Sequence, residues 1–105
     1  MIMMTKDLLL ITRYNKISII NVNNYKLRII NVPDADWIFA VCMLNQNMLL
    51  TGEQAKIIRQ WRIEGDNLIL ISKKEKAHDD YILDLINLGN GHIASGSGDK
   101  TIKIW

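Results

Sequence analysis

His78, Asp79 and Asp80 stand side by side in the chain, and Ser95 and Ser97 follow a short distance behind them. Imidazole, carboxylate and hydroxyl are the parts of an acyl-transfer site, where the imidazole takes the proton of the hydroxyl and the carboxylate holds the imidazole. The same imidazole and carboxylates could ligate a metal. A second candidate is Gly96-Ser97-Gly98-Asp99-Lys100-Thr101, which is similar at its Lys-Thr end to a loop that cradles phosphate with backbone amides ahead of a helix. Asp99 replaces the glycine that should precede Lys100, and Thr101 to Trp105 reads as a strand where a helix is required. An enzyme or nucleotide-binding domain using His78, Asp79, Asp80 and Ser95 is therefore one alternative, and the elements around these residues must decide it.

Those elements are short runs of Ile, Val and Leu broken every eight to twelve residues by Asn, Gly or Asp, and nothing sustains a helical period. An all-β chain is expected. The strands fall at Leu8 to Thr12, Lys16 to Val22, Lys26 to Asn31, Ile38 to Leu44, Met48 to Gly52, Ile57 to Arg62, Leu68 to Ser72, Ile82 to Leu88, His92 to Ser97 and Thr101 to Trp105. Gly65-Asp66-Asn67, Gly89-Asn90-Gly91 and Gly98-Asp99 supply tight reversals between them.

Self-similarity separates one all-β architecture from the others. Moved forward by 44 positions, Pro33 to Trp61 lies on Ala77 to Trp105 without a gap. Asp36 then meets Asp80, Ile38 meets Ile82, Leu44 meets Leu88, Gly52 meets Gly96, Lys56 meets Lys100, Ile58 meets Ile102, and Trp61 meets Trp105. Trp37 with Tyr81, Val41 with Leu85 and Thr51 with Ser95 are conservative pairs. A period of about 40 to 45 residues belongs to four-stranded propeller blades. Upstream, Leu8-Leu9-Leu10 and Lys16-Ile17-Ser18-Ile19-Ile20 match the second and third strands of a blade that lacks its Trp.

The segment His78-Asp79-Asp80-Tyr81-Ile82, continued by Gly91-His92-Ile93-Ala94-Ser95-Gly96-Ser97-Gly98-Asp99-Lys100-Thr101-Ile102-Lys103-Ile104-Trp105, resembles the WD40 repeat. It has a His before the first strand, a Ser-Gly-Ser second strand, an Asp turn, and a third strand ending in Trp. The resemblance is close over about 28 residues, moderate in the preceding blade and poor in the first 30. It implies that Asp99 accepts from the His78 imidazole, that His78 reaches Ser95, and that the Ser95 hydroxyl accepts the Trp105 indole hydrogen. Such a set is physically coherent, since buried polar groups must be paired and these four offer matching donors and acceptors. On that reading His78, Ser95, Asp99 and Trp105 are structural, and the parts of a hydrolase are already partnered inside the blade. The middle copy keeps only Thr51 and Trp61 of the set, with Asp34 in place of the His and Ala55 in place of the turn Asp, so its network is expected to be half formed at best.

The apolar positions Ile82, Leu85, Leu88, Ile93, Ile102 and Ile104, with Ile38, Val41, Leu44, Leu49 and Ile58 before them, are expected to fill the space between blades, at about 1.5 to 3 kcal/mol each. Function is better sought at Trp37 and Tyr81, each directly before the apolar start of an innermost strand. In WD40 proteins that position resembles the rim of the upper face, where partners dock, and amphipathic rings supply much of the energy at interfaces.

The charge balance of 13 Lys and Arg against 11 Asp and Glu, a net +2, argues against a nucleic-acid or anionic-membrane binder, and Lys73, Lys74 and Lys76 are interrupted by Glu75. Cys42 is the single cysteine, so no intrachain disulfide forms and no oxidising compartment is needed; Val41 and Met43 beside it suggest a buried thiol. The apolar run Leu8 to Ile11 is too short for a signal-peptide core or a membrane span.

These observations together predict an incomplete propeller of about two and a half four-stranded antiparallel WD40-like blades. Residues 1–32 form a degenerate partial blade, 33–76 a blade, and 77–105 a blade lacking its outer strand. The expected protein is a non-catalytic interaction scaffold, intracellular and cytoplasmic, with a protein or peptide partner and without cofactor, metal, nucleic acid or membrane. An open sheet edge after Trp105 is expected to make it a fragment of a larger propeller, a non-functional truncated gene product, or a chain that completes itself by association through open blade edges.

Overall fold

The computed structural model describes residues 2–105. Eleven strands follow one another with no helix among the described residues: β1 Ile2–Met4, β2 Leu8–Arg13, β3 Lys16–Asn21, β4 Leu27–Asn31, β5 Ile38–Met43, β6 Met48–Glu53, β7 Ile58–Glu64, β8 Asn67–Lys74, β9 Ile82–Gly89, β10 His92–Ser97 and β11 Ile102–Ile104. They form three antiparallel meanders, β1 to β4, β5 to β8, and β9 to β11. The sheets follow in order and do not close into a ring. Among the described residues no helix is long and apolar enough to cross a membrane.

The alternation of side chains along each strand places every second residue on one face. In β6, Leu49 joins a core with Leu10, Ile17, Ile19 and Ile30 of the first sheet, and its neighbour Leu50 joins a second core with Ile82 and Leu85 of the third. Strands β5 and β6 of the middle sheet are thus buried on both sides, and they read Ile-Phe-Ala-Val-Cys-Met and Met-Leu-Leu-Thr-Gly-Glu with no polar alternation. Gly52 of the second sheet faces Ile82 of the third. A Cβ there would stand 2.5 Å from Ile82 Cγ2, so the absent side chain is the socket that seats Ile82.

Strand β1 was absent from the sequence expectation. The N-terminal sheet has four strands because Ile2, Met3 and Met4 pair with Ile11, Leu10 and Leu9. Three residues are too few to display a period, and the Lys6-Asp7 break hides them from β2. Met3 packs against both cores, which gives this short strand its hold. Strand β7 runs two residues beyond its expected end and β8 begins one residue earlier, pairing Ile63 with Leu68 and Glu64 with Asn67 right up to the turn at Gly65; β8 also continues two residues further, to Lys74. That turn carries Gly65 at φ +61, a conformation that glycine adopts without steric cost.

Candidate functional site

The connection into β9, strand β10, the turn before β11 and the residue after it converge on His78. The ring is buried, with Nε2 2.7 Å from the Ser95 hydroxyl and Nδ1 3.0 Å from Asp99 Oδ2. The Trp105 indole N–H donates to the same Ser95 oxygen at 2.8 Å. One proton arrangement satisfies every group: the indole donates to Ser95, the Ser95 hydroxyl donates to Nε2, and Nδ1–H donates to Asp99. Thr101, which the sequence reading left out, completes the set. Its hydroxyl donates to Asp99 Oδ1 at 2.6 Å, its own N–H does so at 2.9 Å, and the Asp79 N–H reaches Oδ2 at 3.0 Å. Thr101 first, then these backbone N–H groups and His78, hold the Asp99 carboxyl well below the usual carboxylate range. The Asp-x-Thr spacing at Asp99 was the available signal for it.

This arrangement bears directly on the chemistry first considered. A hydroxyl nucleophile needs an open face, whereas Ser95 is buried and holds both His78 and Trp105. The neighbouring carboxylates do not serve His78: Asp80 Oδ1 accepts the Tyr81 N–H at 2.7 Å, and only the backbone of Asp79 enters the network. In the Gly-rich segment, the Asp99 carboxylate takes N–H groups that a phosphate would require, and Lys100 N–H closes the turn onto Ser97 O at 3.2 Å. Among the described residues no group of three His, Cys, Asp or Glu side chains could hold a metal ion. Cys42 is buried, and burial foremost pushes its thiol pKa up, away from the reactive thiolate.

The middle blade solves the same problem with different residues. Trp61 N–H donates to Thr51 Oγ1 at 3.0 Å, as Trp105 does to Ser95, but Thr51 then donates to Glu53 Oε2 at 3.1 Å. Arg59 stands 3.3 Å from that carboxylate oxygen, covers the Trp61 ring at 5.7 Å, and donates to Pro33 O at 3.0 Å. Its partner one period later, Lys103, donates to Ala77 O at 2.8 Å and lies 6.0 Å from the Trp105 ring. The expectation of a half-formed network therefore missed Glu53 and Arg59, because it searched for His and Asp at the positions of the other copy. A carboxylate within six residues of an arginine near the blade Trp was the usable signal.

Glu53 remains a stressed group: it is fully buried, and its Oε1 has no partner. Burial is the main cause that raises its pKa, with Arg59 and Thr51 pulling the other way and Asp36 adding to the rise. A raised carboxyl pKa contributes stability below the unfolded value near 4.5, and that contribution is lost as pH rises through the folded value. The Glu53 contribution should accordingly fall as pH rises above 4.5, so the difference in melting temperature between the parent and Glu53→Gln should change with pH in that direction. Identical pH profiles for both proteins would contradict this account of Glu53.

At the rim, Phe39 joins Trp37 to Tyr81 and Tyr14 extends the row beyond Trp37, two rings that the sequence does not single out. Tyr14, in the β2–β3 turn, meets Trp37 edge to face at 5.7 Å; Trp37 stacks on Phe39 at 5.8 Å, and Phe39 on Tyr81 at 5.4 Å. The three named rings Tyr14, Trp37 and Tyr81 are 54, 47 and 40% exposed, far more than the core around them. The backbone fixes the row, since Ile38 N–H donates to Tyr14 O at 2.7 Å and Gln54 N–H to Trp37 O at 2.8 Å. One aromatic row therefore spans all three sheets.

No family model matches the chain. It is similar to the ribosome biogenesis protein YTM1 of Vanderwaltozyma polyspora, at 24% identity over 70 residues that make up 67% of this chain and 15% of that protein. Among solved structures, the computationally designed Ika4 protein superposes on 99% of the chain with TM-score 0.66 and 15% identity, and the chain spans 62% of its length. The computationally designed Ika8 protein gives TM-score 0.69 at 15% identity over 99% of this chain and 31% of its own. A chain of the mitotic checkpoint complex gives TM-score 0.73 at 13% identity over 96% of this chain and 32% of its own. The chain shares with these structures an all-β, propeller-like fold of successive antiparallel sheets.

Proposed function

We propose that this chain is a non-catalytic protein-interaction module of WD40 type, intracellular in location, whose docking surface is the aromatic row Tyr14, Trp37, Phe39 and Tyr81. The single observation that carries the reading is the exposure of Tyr14, Trp37 and Tyr81 along one rim, with the half-buried Phe39 stacked between Trp37 and Tyr81. Water is displaced from large amphipathic surfaces on binding, and side chains already held in place lose little freedom when a partner arrives. The engagement of buried His78 and Ser95 with Asp99 supports a structural role for them and for Trp105, and favours a scaffold over an enzyme. YTM1 is named as a ribosome biogenesis protein and the structural neighbour belongs to the mitotic checkpoint complex, which supports a protein or peptide partner here.

A random peptide library selected on the 105-residue chain tests the proposal. Enriched peptides should lose roughly 30-fold or more in affinity on the Trp37→Ala, Tyr81→Ala double variant, the scale of a hot-spot residue. A variant that melts like the parent and retains every peptide would refute the docking surface.

Self-association is a second reading, favoured by exposed apolar side chains on both outer sheets: Ile2, Met4, Leu27 and Ile29 on the first, and Leu83, Ile86, Ile102 and Ile104 on the third. It predicts an early-eluting species in size-exclusion chromatography at micromolar concentration. A clean monomer with cooperative melting would remove it.

A further inference from the structure

The aromatic row is built from a unit that occurs twice, an Asp followed by a ring, at Asp36-Trp37 and Asp80-Tyr81. In both copies the carboxylate Oδ1 accepts the N–H of the ring residue, at 2.6 Å and 2.7 Å. The carbonyl of the ring residue is held in both copies from the facing turn, by Gln54 N–H at 2.8 Å and by Gly98 N–H at 3.1 Å, positions again one period apart. The second oxygen of each carboxylate accepts no hydrogen bond from the described residues. Each unit thus sets a carboxylate beside an aromatic ring on the same backbone frame, Asp36 exposed and Asp80 half-buried with its Oδ2 against Gly98, and Phe39 stacks between the two rings.

From this geometry we infer that the row takes a peptide segment with two basic side chains, arginines foremost, two or three residues apart. The inference rests on the docking reading above and names the chemistry of its partner. A guanidinium is planar and always charged, lies flat on aromatic surfaces, and offers a fork of donors to a carboxylate, so one side chain engages ring and anion together. Ring-to-ring steps of 5.8 and 5.4 Å link Trp37 to Tyr81. Their separation is therefore no more than about three residues of extended chain at ~3.4 Å each. Charge along the chain near the row is uneven: Asp34 and Asp79 lie within three residues of Trp37 and Tyr81, Arg13 and Lys16 flank Tyr14, and Lys56 and Lys100 follow Gln54 and Gly98 in the turns that face the rings. The partner's basic residues accordingly belong over Trp37 and Tyr81, and its neutral or acidic part over Tyr14.

Three alanine-rich synthetic peptides, with two arginines, two glutamines or two glutamates three positions apart, would be titrated into the 105-residue chain by calorimetry. The arginine peptide should bind about tenfold tighter than the glutamine peptide. The advantage should shrink with added salt and vanish in the Asp36→Asn, Asp80→Asn double variant. Asparagine keeps the Oδ1 acceptor for the backbone N–H, so this variant should melt like the parent; if it does not, Asp80→Asn alone is expected to lose part of the advantage. Equal binding of the arginine and glutamine peptides, preference for the glutamate peptide, or binding of none overturns the inference. In the first two cases, loss of binding in Trp37→Ala preserves the docking surface, whereas indifference to Trp37→Ala overturns that surface as well.

Discussion

Replacing His78 by alanine is expected to destabilise the chain by about 3 kcal/mol, because it strands two partners and opens a cavity at once. Ser95 loses its acceptor, Asp99 loses a ring N–H donor, and the cavity left by a fully buried imidazole sits between the turn at Asp99 and strand β10. For a chain of this size such a loss lowers Tm by about 10 to 20 °C, measurable by circular dichroism. Ser95→Ala should do less, since it removes one hydroxyl and leaves the contact of His78 with Asp99 in place. The pH response has a definite sign. Asp99 is held ionised by its donors, so its contribution is present above the ordinary carboxylate range and is lost as the pH falls below it. A His78→Ala melt equal to the parent's would contradict the structural role proposed for this network.

The largest single loss is expected from Trp61→Ala, about 4 kcal/mol, against about 1 kcal/mol for Trp105→Ala. The two residues are equivalent in the 44-residue repeat, and both indoles donate to a hydroxyl on the neighbouring strand. Their surroundings differ. Trp61 is 2% exposed and packs in the core between the first and second sheets, with Arg59 over its ring; Trp105 is 36% exposed, flanked by Lys74 and Lys103. A large cavity opens only where neighbours cannot collapse into it. Equal losses in urea denaturation would mean that burial between sheets is not what holds this chain together.

Much of the architecture was legible because both of its signals are local. Strand positions follow from apolar runs bounded by Asn, Gly and Asp, and ten of the strands were placed within a few residues. The parts that escaped are those with no local signature. Strand β1 is stabilised by pairing with β2 and by Met3 entering both cores, neither of which three residues can announce. Glu53 and Arg59 escaped for a different reason: a buried polar network can be satisfied by several residue sets, so looking for one set overlooks the other.

By itself the sequence determined the all-β class, the 44-residue repeat, and the pairs that repeat sets in equivalent places: Asp36 with Asp80, Gly52 with Gly96, Trp61 with Trp105. These follow from periodicity and spacing, which are properties of the chain alone. Only the tertiary structure decided that His78, Ser95, Asp99 and Trp105 meet with Thr101, and that Tyr14 and Phe39 extend Trp37 and Tyr81 into one row. Tyr14 lies in a turn of the first sheet, Trp37 directly before and Phe39 within β5 of the second, and Tyr81 directly before β9 of the third. Rings so far apart along the chain become one surface only when the apolar faces of successive sheets pack together and bring their rims into line.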